Sequence, residues 1–376
     1  MYQIQLYRAA FVASLLLITF ALPSHAITFN VNNLVTDDQS VHPAQITDPG
    51  LVNAWGLSYI STGPFWLSSN GAGTSPLYSV DPITQVTTKL PLTVTIPGAG
   101  NVTGQVSNVT SAFGGDRFLF VSEDGTVSGW SPTLGTTGNV PAETLVTASS
   151  ALYKGVALGA IGEDNYLYAA NFHSGTIDVF KGSVVSPSLP GTFTDPNLPA
   201  NYAPFNVQNL GNTLYVTYAQ QDPNSPDEIA GAGLGLVDAY DLQGNLLARV
   251  ATGGTLDAPW GLAIAPSSFG VMAGALLVGN FGDGRINAFD PVSHAFLGQV
   301  LGTDGNPLVI DGLWAISPGN DTLAGSSHLL YFTAGPDEES HGLFGVLTPV
   351  PEPSTYALLI VGLSLIGTVV ARRNRN

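Results

Sequence analysis

The chain of 376 residues contains no cysteine. No disulfide, thiolate nucleophile or cysteine-ligated metal site can therefore exist in it, and its stability must come from packing. Positive charge is also scarce, since ten Lys and Arg stand against 27 Asp and Glu and the net charge is −17. A phosphate backbone is bound by clustered Lys and Arg, so we expect no nucleic-acid partner.

Sustained helical periodicity is missing from the body of the chain, as are His-Glu-x-x-His, Gly-x-Ser-x-Gly and phosphate-loop motifs. Glycine and proline are abundant instead, with 44 and 26 residues, and 44% of the chain is hydrophobic. This composition is typical of a turn-rich β protein and differs from that of a disordered acidic tail.

One sequence pattern occurs six times. The stretches "LYAANFHSGTIDVF" (167–180) and "LLVGNFGDGRINAFD" (276–290) each contain an apolar run, a glycine turn and an alternating run, and weaker versions occur elsewhere. The six units lie 48 to 55 residues apart when they are anchored on Gly56, Gly104, Gly155, Asn206, Gly261 and Leu313. Short β-rich runs repeated with a period near 50 predict an all-β, six-bladed β-propeller over residues 27–348, in which each blade is covered by its neighbours.

The sixth unit has three strand-like runs where a complete blade needs four. The stretch "ITFNVNNLVT" (27–36) at the start of the predicted domain is a suitable fourth strand. We expect it to pair with the last blade, because an unpaired edge would otherwise remain exposed.

Residues 1–26 have the features of a secretory signal peptide. Arg8 precedes an apolar stretch that runs to Leu22, and Ser24-His25-Ala26 is a small-x-small cleavage site. The alternative is an uncleaved anchor, although the stretch is short for a membrane span.

Residues 349–376 contain a second apolar stretch, from Tyr356 to Ala371, which is long enough for a short membrane helix and is followed by a basic tail. The order of these parts resembles the PEP-CTERM sorting signal of Gram-negative bacteria, and the matching residues are Pro351, Glu352, Pro353, Arg372 and Arg373. The resemblance implies export, anchoring in the inner membrane, and processing by the membrane protease exosortase. It further implies delivery to the cell surface or extracellular matrix. The alternative is a plain C-terminal anchor.

Candidate site residues lie in the loops that precede each first strand and in the turns between second and third strands. In a propeller these two sets of loops share one face of the disc. Oxygen ligands at the channel mouth suit Ca²⁺, and the candidates are Asn53, Glu123, Asn171, Asn280 and Asp283. Candidates for binding another ligand are Lys154, His173, Asp257, Trp260 and Asp311. The alternatives are that Asn and Asp simply form turns and that the tryptophans pack between blades.

Two acidic stretches have weaker motifs. "DPNSPDE" (222–228) begins like a calcium loop but lacks the required Gly and Glu, so we interpret it as a solvated turn. "GPDEESHG" (335–342) combines His341 with Glu338 and Glu339, which suits acid–base chemistry, metal chemistry or a charged surface loop.

Runs such as "DPGLVNAWGL", "YKGVAL", "APWGLAIAP" and "DGLWAI" resemble a family of secreted bacterial propeller proteins, some of which have PEP-CTERM signals. The likeness extends from about Leu34 to Leu347 and implies a fold and a location, but no reaction. Our first hypothesis is a non-catalytic propeller that binds a matrix polysaccharide or a protein partner. The second is a Ca²⁺-dependent hydrolase similar to lactonase and esterase propellers, and the third is a purely structural surface protein.

Overall fold

The computed structural model describes residues 27–182, 184–185 and 187–350, so the predicted signal peptide and the sorting residues from Pro351 onward lie outside the described residues. The described chain forms six sheets that are arranged as the blades of a propeller. The six-bladed fold predicted from the repeats is therefore confirmed. Helical segments in these ranges are the short 3-10 turns Phe113–Gly115, Pro132–Leu134 and Ser267–Met272. None of the described helices has the length and apolar character needed to cross a membrane.

The strands are numbered in chain order. β1 (Thr28–Thr36) and β2 (Ile46–Thr47) precede the first complete sheet. Blade one contains β3 (Ala54–Ser58), β4 (Phe65–Ser69), β5 (Thr74–Val80) and β6 (Thr87–Thr95). Blade two contains β7 (Val102–Ser107), β8 (Phe118–Ser122), β9 (Thr126–Trp130) and β11 (Glu143–Thr147), while β10 (Gly138–Pro141) pairs in parallel with β6. Blade three contains β12 (Tyr153–Ile161), β13 (Asp164–Asn171), β14 (Thr176–Lys181) and β15 (Val184–Val185).

The second half of the propeller repeats this pattern. Blade four contains β16 (Tyr202–Leu210), β17 (Thr213–Gln221), β19 (Leu236–Asp241) and β20 (Leu246–Thr252), and the short β18 (Glu228–Ile229) pairs with β17. Blade five contains β21 (Pro259–Ile264), β22 (Leu276–Asn280), β23 (Ile286–Phe289) and β24 (Phe296–Gln299). Blade six contains β26 (Leu313–Pro318), β27 (Leu330–Ala334) and β28 (Leu343–Val350), and β25 (Leu301–Gly302) pairs with β1.

The N-terminal strand closes the ring, as the sequence predicts. β1 pairs antiparallel with β28 along its whole length, from Thr28 opposite Val350 to Thr36 opposite Leu343. Leu34 and Val35 are fully buried between blades six and one. The last blade thus obtains its fourth strand, and β1 covers the outer edge of β28.

The first strands of neighbouring blades approach closely around the central axis. A Cβ atom on Gly56 would lie 2.5 Å from the carbonyl oxygen of Thr103, and one on Gly104 would lie 2.7 Å from the amide nitrogen of Val156. These glycines therefore permit backbone contact between blades. The strand pairing places Ala315 at the equivalent position of blade six, two residues after the Leu313 anchor taken from the sequence.

Each first strand runs from one face of the disc to the other. We call the face that carries the loops before the first strands, and the turns between second and third strands, the upper face. The opposite face, which carries the remaining turns, is the lower face. A cavity of about 350 Å³ opens there, and every blade lines it with three residues in its first strand or directly after it.

Candidate functional site

One position in the first strand of each blade points towards the axis near the upper face. Strand pairing makes six residues equivalent, and all six are buried: Trp55, Thr103, Lys154, Phe205, Trp260 and Trp314. The rings of Trp55 and Trp314 stack with their centroids 3.7 Å apart, and Trp260 meets Trp314 edge-on at 5.9 Å. The rings of Trp55, Trp260 and Trp314 close the channel, and we call these three side chains the central plug.

Two indole hydrogen bonds hold the plug in place. Trp260 Nε1 donates to the carbonyl oxygen of Lys154 over 3.0 Å, and Trp314 Nε1 donates to Asn53 Oδ1 over 2.9 Å. The tryptophans therefore pack against one another across blades, in agreement with the packing interpretation of the sequence. Trp260, also predicted as a ligand-binding residue, is 5% exposed and makes edge contacts with the rings of Trp55 and Trp314.

Lys154 is the charged exception among the six equivalent residues. Its side chain is 2% exposed, and its Nζ lies 2.8 Å from Glu123 Oε1, 3.6 Å from Asp227 Oδ1 and 3.8 Å from Glu228 Oε2. The ammonium also lies 5.1 Å from the centroid of the Trp55 ring, within cation–π range. A buried cation is thus held directly above the plug by carboxylates and an aromatic face.

The carboxylates reach Lys154 from different blades. Glu123 lies in the turn between β8 and β9, whereas Asp227 and Glu228 come from the long connection between β17 and β19. Glu339, from the turn between β27 and β28, accepts a hydrogen bond from Asn53 Nδ2 over 2.5 Å. We call Lys154 and its carboxylates the Lys154 centre, whose members are Lys154, Glu123, Asp227, Glu228 and Glu339.

At the Lys154 centre, burial and the neighbouring charges shift the pKa of the lysine in opposite directions. Burial alone would lower the pKa of Lys154, but Glu123 and Glu228 raise it above its ordinary value, so the amine stays protonated. Burial raises the pKa of Glu228 to about 7, and its Oε2 has no hydrogen-bond partner among the described residues. Burial likewise raises the pKa of Glu339. The centre therefore changes charge near neutral pH.

The five predicted calcium ligands fall into separate hydrogen-bonded groups. Asn53 and Glu123 belong to the surroundings of Lys154, where Asn70 bridges them with contacts of 3.4 and 3.3 Å. Asn280 Nδ2 donates to Asp283 Oδ1 over 2.8 Å, in another blade. Asn171 Oδ1 accepts from the amide of Leu152 over 3.2 Å.

The contacts among these five residues do not join them into one cluster. Within the described ranges, no group of three or more His, Asp or Glu side chains is arranged to hold a metal ion. The cation at the point where carboxylates converge is the ammonium of Lys154. Calcium binding itself stays a prediction for experiment.

Three further predicted ligand-binding residues have different surroundings. His173 is exposed on the upper face beside Phe172. Asp257 is buried, and its Oδ1 accepts from the amide of Gly231 over 2.6 Å. Asp311 is exposed and accepts from the amide of Asp337 over 2.9 Å. Of the ligand-binding predictions, Lys154 belongs to the centre and His173 to the cleft described next.

Sequence reasoning missed the role of Glu228. The interpretation of 222–228 as a solvated turn describes the 63%-exposed Asp227, but it is wrong for Glu228, whose side chain is 5% exposed. The length of one connection could have predicted this burial. The connection between the second and third strands of blade four is much longer than the corresponding turns elsewhere, so it has enough residues to fold over the channel mouth.

A cleft of about 530 Å³ lies beside the Lys154 centre, under this long connection. Its apolar side includes Leu152, Phe172, Pro226 and Ile229, and its polar side includes His173, Asn201, Gln220 and Asp222. The side chains of His173, Asn201 and Gln220 make no hydrogen bond with another described residue. We call this region the upper cleft.

Comparison with known proteins identifies a sorting motif and related chains. Residues 349–375 match the PEP-CTERM protein-sorting motif. Uncharacterized protein R648 of Acanthamoeba polyphaga mimivirus is 32% identical over 343 residues, which are 86% of this chain and 81% of the viral one. Uncharacterized protein L690 of the same virus is 31% identical, over 86% of this chain and 87% of its own.

Solved structures share the fold at low sequence identity. The α-L-arabinofuranosidase of Fusarium graminearum in complex with arabinobiose has a TM-score of 0.54 and 12% identity, over 85% of this chain and 98% of its own. The PQQ-bound aldose sugar dehydrogenase of Streptomyces coelicolor has a TM-score of 0.50 and 16% identity, over 86% of this chain and 98% of its own. At such identities the likeness concerns the fold alone.

Proposed function

This chain belongs to the family of mimivirus proteins R648 and L690 and has a PEP-CTERM sorting motif, and from that premise we propose that it is a non-catalytic propeller that binds an uncharged saccharide in the upper cleft. The motif implies export, membrane anchoring and processing by exosortase. We further propose that the processed chain reaches the cell surface or extracellular matrix of a Gram-negative bacterium, where matrix polysaccharide is its ligand.

The observation that carries this proposal is the pairing of free polar groups with an apolar wall. A sugar ring presents hydroxyl groups at its edge and C–H groups on its faces, so it needs both kinds of surface. Asn201 and Gln220 supply amide donors and acceptors that are not used elsewhere, and Pro226 and Ile229 supply the wall. The volume lies within the range of about 300–1,000 Å³ that is common for small-molecule sites.

The acidic residues in and near the upper cleft favour an uncharged ligand. Asp222 lines the cleft, and Asp227 and Glu228 lie in the chain between Pro226 and Ile229, which also line it. An acidic saccharide would meet like charges there, which disfavours its binding. Neutral oligosaccharides should therefore bind more tightly than uronic-acid polymers of equal length.

The test is a binding screen followed by calorimetry. The exported chain is applied to an array of neutral and acidic oligosaccharides, and the tightest neutral ligand is titrated into the parent and into the double variant Asn201→Ala/Gln220→Ala. Loss of two hydrogen bonds should weaken binding by about tenfold or more, since each contributes roughly 0.5–1.5 kcal/mol.

A matched control is Asn101→Ala, which removes an exposed amide of the upper face outside the cleft. Its affinity should equal that of the parent. The proposal fails if no neutral oligosaccharide on the array binds the parent, or if the double variant binds as tightly as the control.

A further inference from the structure

Both ends of the described chain leave the propeller at the same place on the lower face. Thr28 at the start of β1 lies opposite Val350 at the end of β28. The side chain of Ile27 packs against Gly270 in the lower-face turn Ser267–Met272, and the ring of Phe29 lies 4.4 Å from that of Phe269. The sorting segment therefore continues from the lower face.

Little chain separates this point from the apolar part of the sorting segment. Five residues, 351–355, connect Val350 to the apolar stretch that begins at Tyr356. Five residues span at most about 18 Å when fully extended. While the PEP-CTERM segment anchors the chain in the membrane, the exit point must stay within that distance of the bilayer.

The lower face also exposes large aliphatic side chains at the tips of its turns. Four of them protrude strongly: Ile83 is 90% exposed, Val292 86%, Val271 77% and Val109 68%. On upper-face loops, the exposed large aliphatic residues among those described are Val41 and Val309, at 44% and 57%. The apolar tips are thus concentrated on the face from which the anchor emerges.

Two of these tips are built in the same way. Asp81 Oδ1 accepts hydrogen bonds from the amides of Ile83 and Thr84, and Asp290 Oδ1 accepts from the amides of Val292 and Ser293. Each aspartate fixes an Asx turn that presents the aliphatic residue outward. The presentation of Ile83 and Val292 is therefore set by backbone hydrogen bonds of the turn and repeats in blades one and five.

We propose that the lower face rests on the bilayer surface before processing, with Ile83, Val109, Val271 and Val292 inserted into the lipid interface. The upper cleft and the Lys154 centre then point away from the membrane. Apolar contact drives this docking, because Asp81 and Asp290 lie beside the tips and would be repelled by anionic lipid. Zwitterionic membranes are the preferred surface.

The absence of cysteine makes the test direct, since any single substitution to cysteine gives one labelling site. Full-length chain is reconstituted in phosphatidylcholine vesicles, and an environment-sensitive fluorophore is attached at Ile83→Cys, Val271→Cys or Val292→Cys. Matched upper-face controls are Val41→Cys and Val309→Cys. The emission of the lower-face probes should shift to the blue. Doxyl-labelled lipid should quench it at least about twofold more than it quenches the controls, because inserted tips lie roughly 5–10 Å into the interface.

A second comparison tests the apolar contact itself. Replacing Ile83, Val109, Val271 and Val292 together by Ser should abolish the difference between lower-face and upper-face probes while the melting temperature stays close to that of the parent. Equal quenching on both faces would overturn the proposal. The proposal would also be overturned if the fluorescence of the lower-face probes were unchanged by lipid but changed when exosortase is added. The lower face would then contact the protease.

Discussion

At the residue scale, Lys154 distinguishes this propeller from a simple six-fold ring. Its equivalents are three Trp, one Phe and one Thr, all buried around the axis. Replacing an aromatic ring by an ammonium at such a depth is costly unless carboxylates approach closely. Glu123 and Glu228 do so, and they lie in loops that the upper face brings together.

We expect Lys154→Met to destabilise the protein strongly. Removing one partner of a buried ion pair leaves the other charges uncompensated, which typically costs about 3–5 kcal/mol. The loss should be largest at pH 8 and smaller at pH 5, where Glu228 is protonated. Chemical denaturation at both pH values measures it. Lys181→Met, which removes an exposed lysine paired with Asp164, should change little, and equal effects of the two variants would contradict the role of Lys154.

We expect Glu228→Gln to stabilise the protein at alkaline pH. Burial raises the folded-state pKa of Glu228 to about 7, above the value of about 4.3 for an unperturbed glutamate. The folded chain therefore binds this proton more tightly than the unfolded chain, and stability is lost as the pH rises through that window. The variant should exceed the parent by about 3–4 kcal/mol at pH 8 and match it near pH 4.

Denaturation curves recorded from pH 4 to pH 8 test this dependence. Glu163→Gln, a change in an exposed lower-face turn, should follow the parent at every pH. A constant difference between Glu228→Gln and the parent across the range would mean that the proton of Glu228 is not linked to folding.

At the scale of elements, β1 carries the closure of the ring. Phe29 is buried near its start, the next three residues are exposed, and Leu34 and Val35 then pack fully between two blades. The pairing with β28 explains why the last repeat ends after three strands. The strand also fixes the exit point of both chain ends on the lower face.

Leu34→Ala should lower the free energy of unfolding by about 2–5 kcal/mol, because a large buried side chain is removed and a cavity remains. Val31→Ala changes a half-exposed residue of the same strand and should cost less than about 1 kcal/mol. Urea unfolding of both variants gives the comparison. Similar costs at the two positions would show that β1 does not contribute to the core.

At the scale of the whole molecule, the fold was predictable from sequence because its information is local and repeated. Alternating apolar runs and glycine turns occur six times, and each defines strands without knowledge of distant contacts. The site was less predictable, because it depends on register between blades. Leu313, the position chosen to align the sixth repeat, is two residues from the true equivalent, Ala315. With that alignment, Trp314 is not recognised as the equivalent of Lys154.

The grouping of residues on the upper face was partly predictable. Asn53, Glu123 and Lys154 meet there, as the shared face of the two loop sets implies. The burial of Glu228 depends on how a long irregular connection folds back as β18, and no periodic pattern encodes that path. Composition also could not show that Lys154 would be the cation at the channel mouth.

Calcium binding by Asn53, Glu123, Asn171, Asn280 and Asp283 stays a prediction, and thermal unfolding tests it. In the structure the predicted ligands lie in separate hydrogen-bonded groups, and the Lys154 ammonium lies close to Glu123 and Glu228. Identical thermal unfolding curves in calcium and in EDTA would show that the predicted metal site is wrong. A calcium-dependent rise that Asn280→Ala removes would instead support the predicted metal site, since a ligand that binds the folded state raises its stability.

The most direct test of the saccharide-binding account is a crystal structure of the exported chain with the tightest neutral oligosaccharide from the array. The account predicts a sugar ring in the upper cleft, packed against Pro226 and Ile229, with hydroxyl groups within hydrogen-bond distance of Asn201 and Gln220. A sugar bound in the lower-face cavity, or anywhere outside the upper cleft, would contradict it.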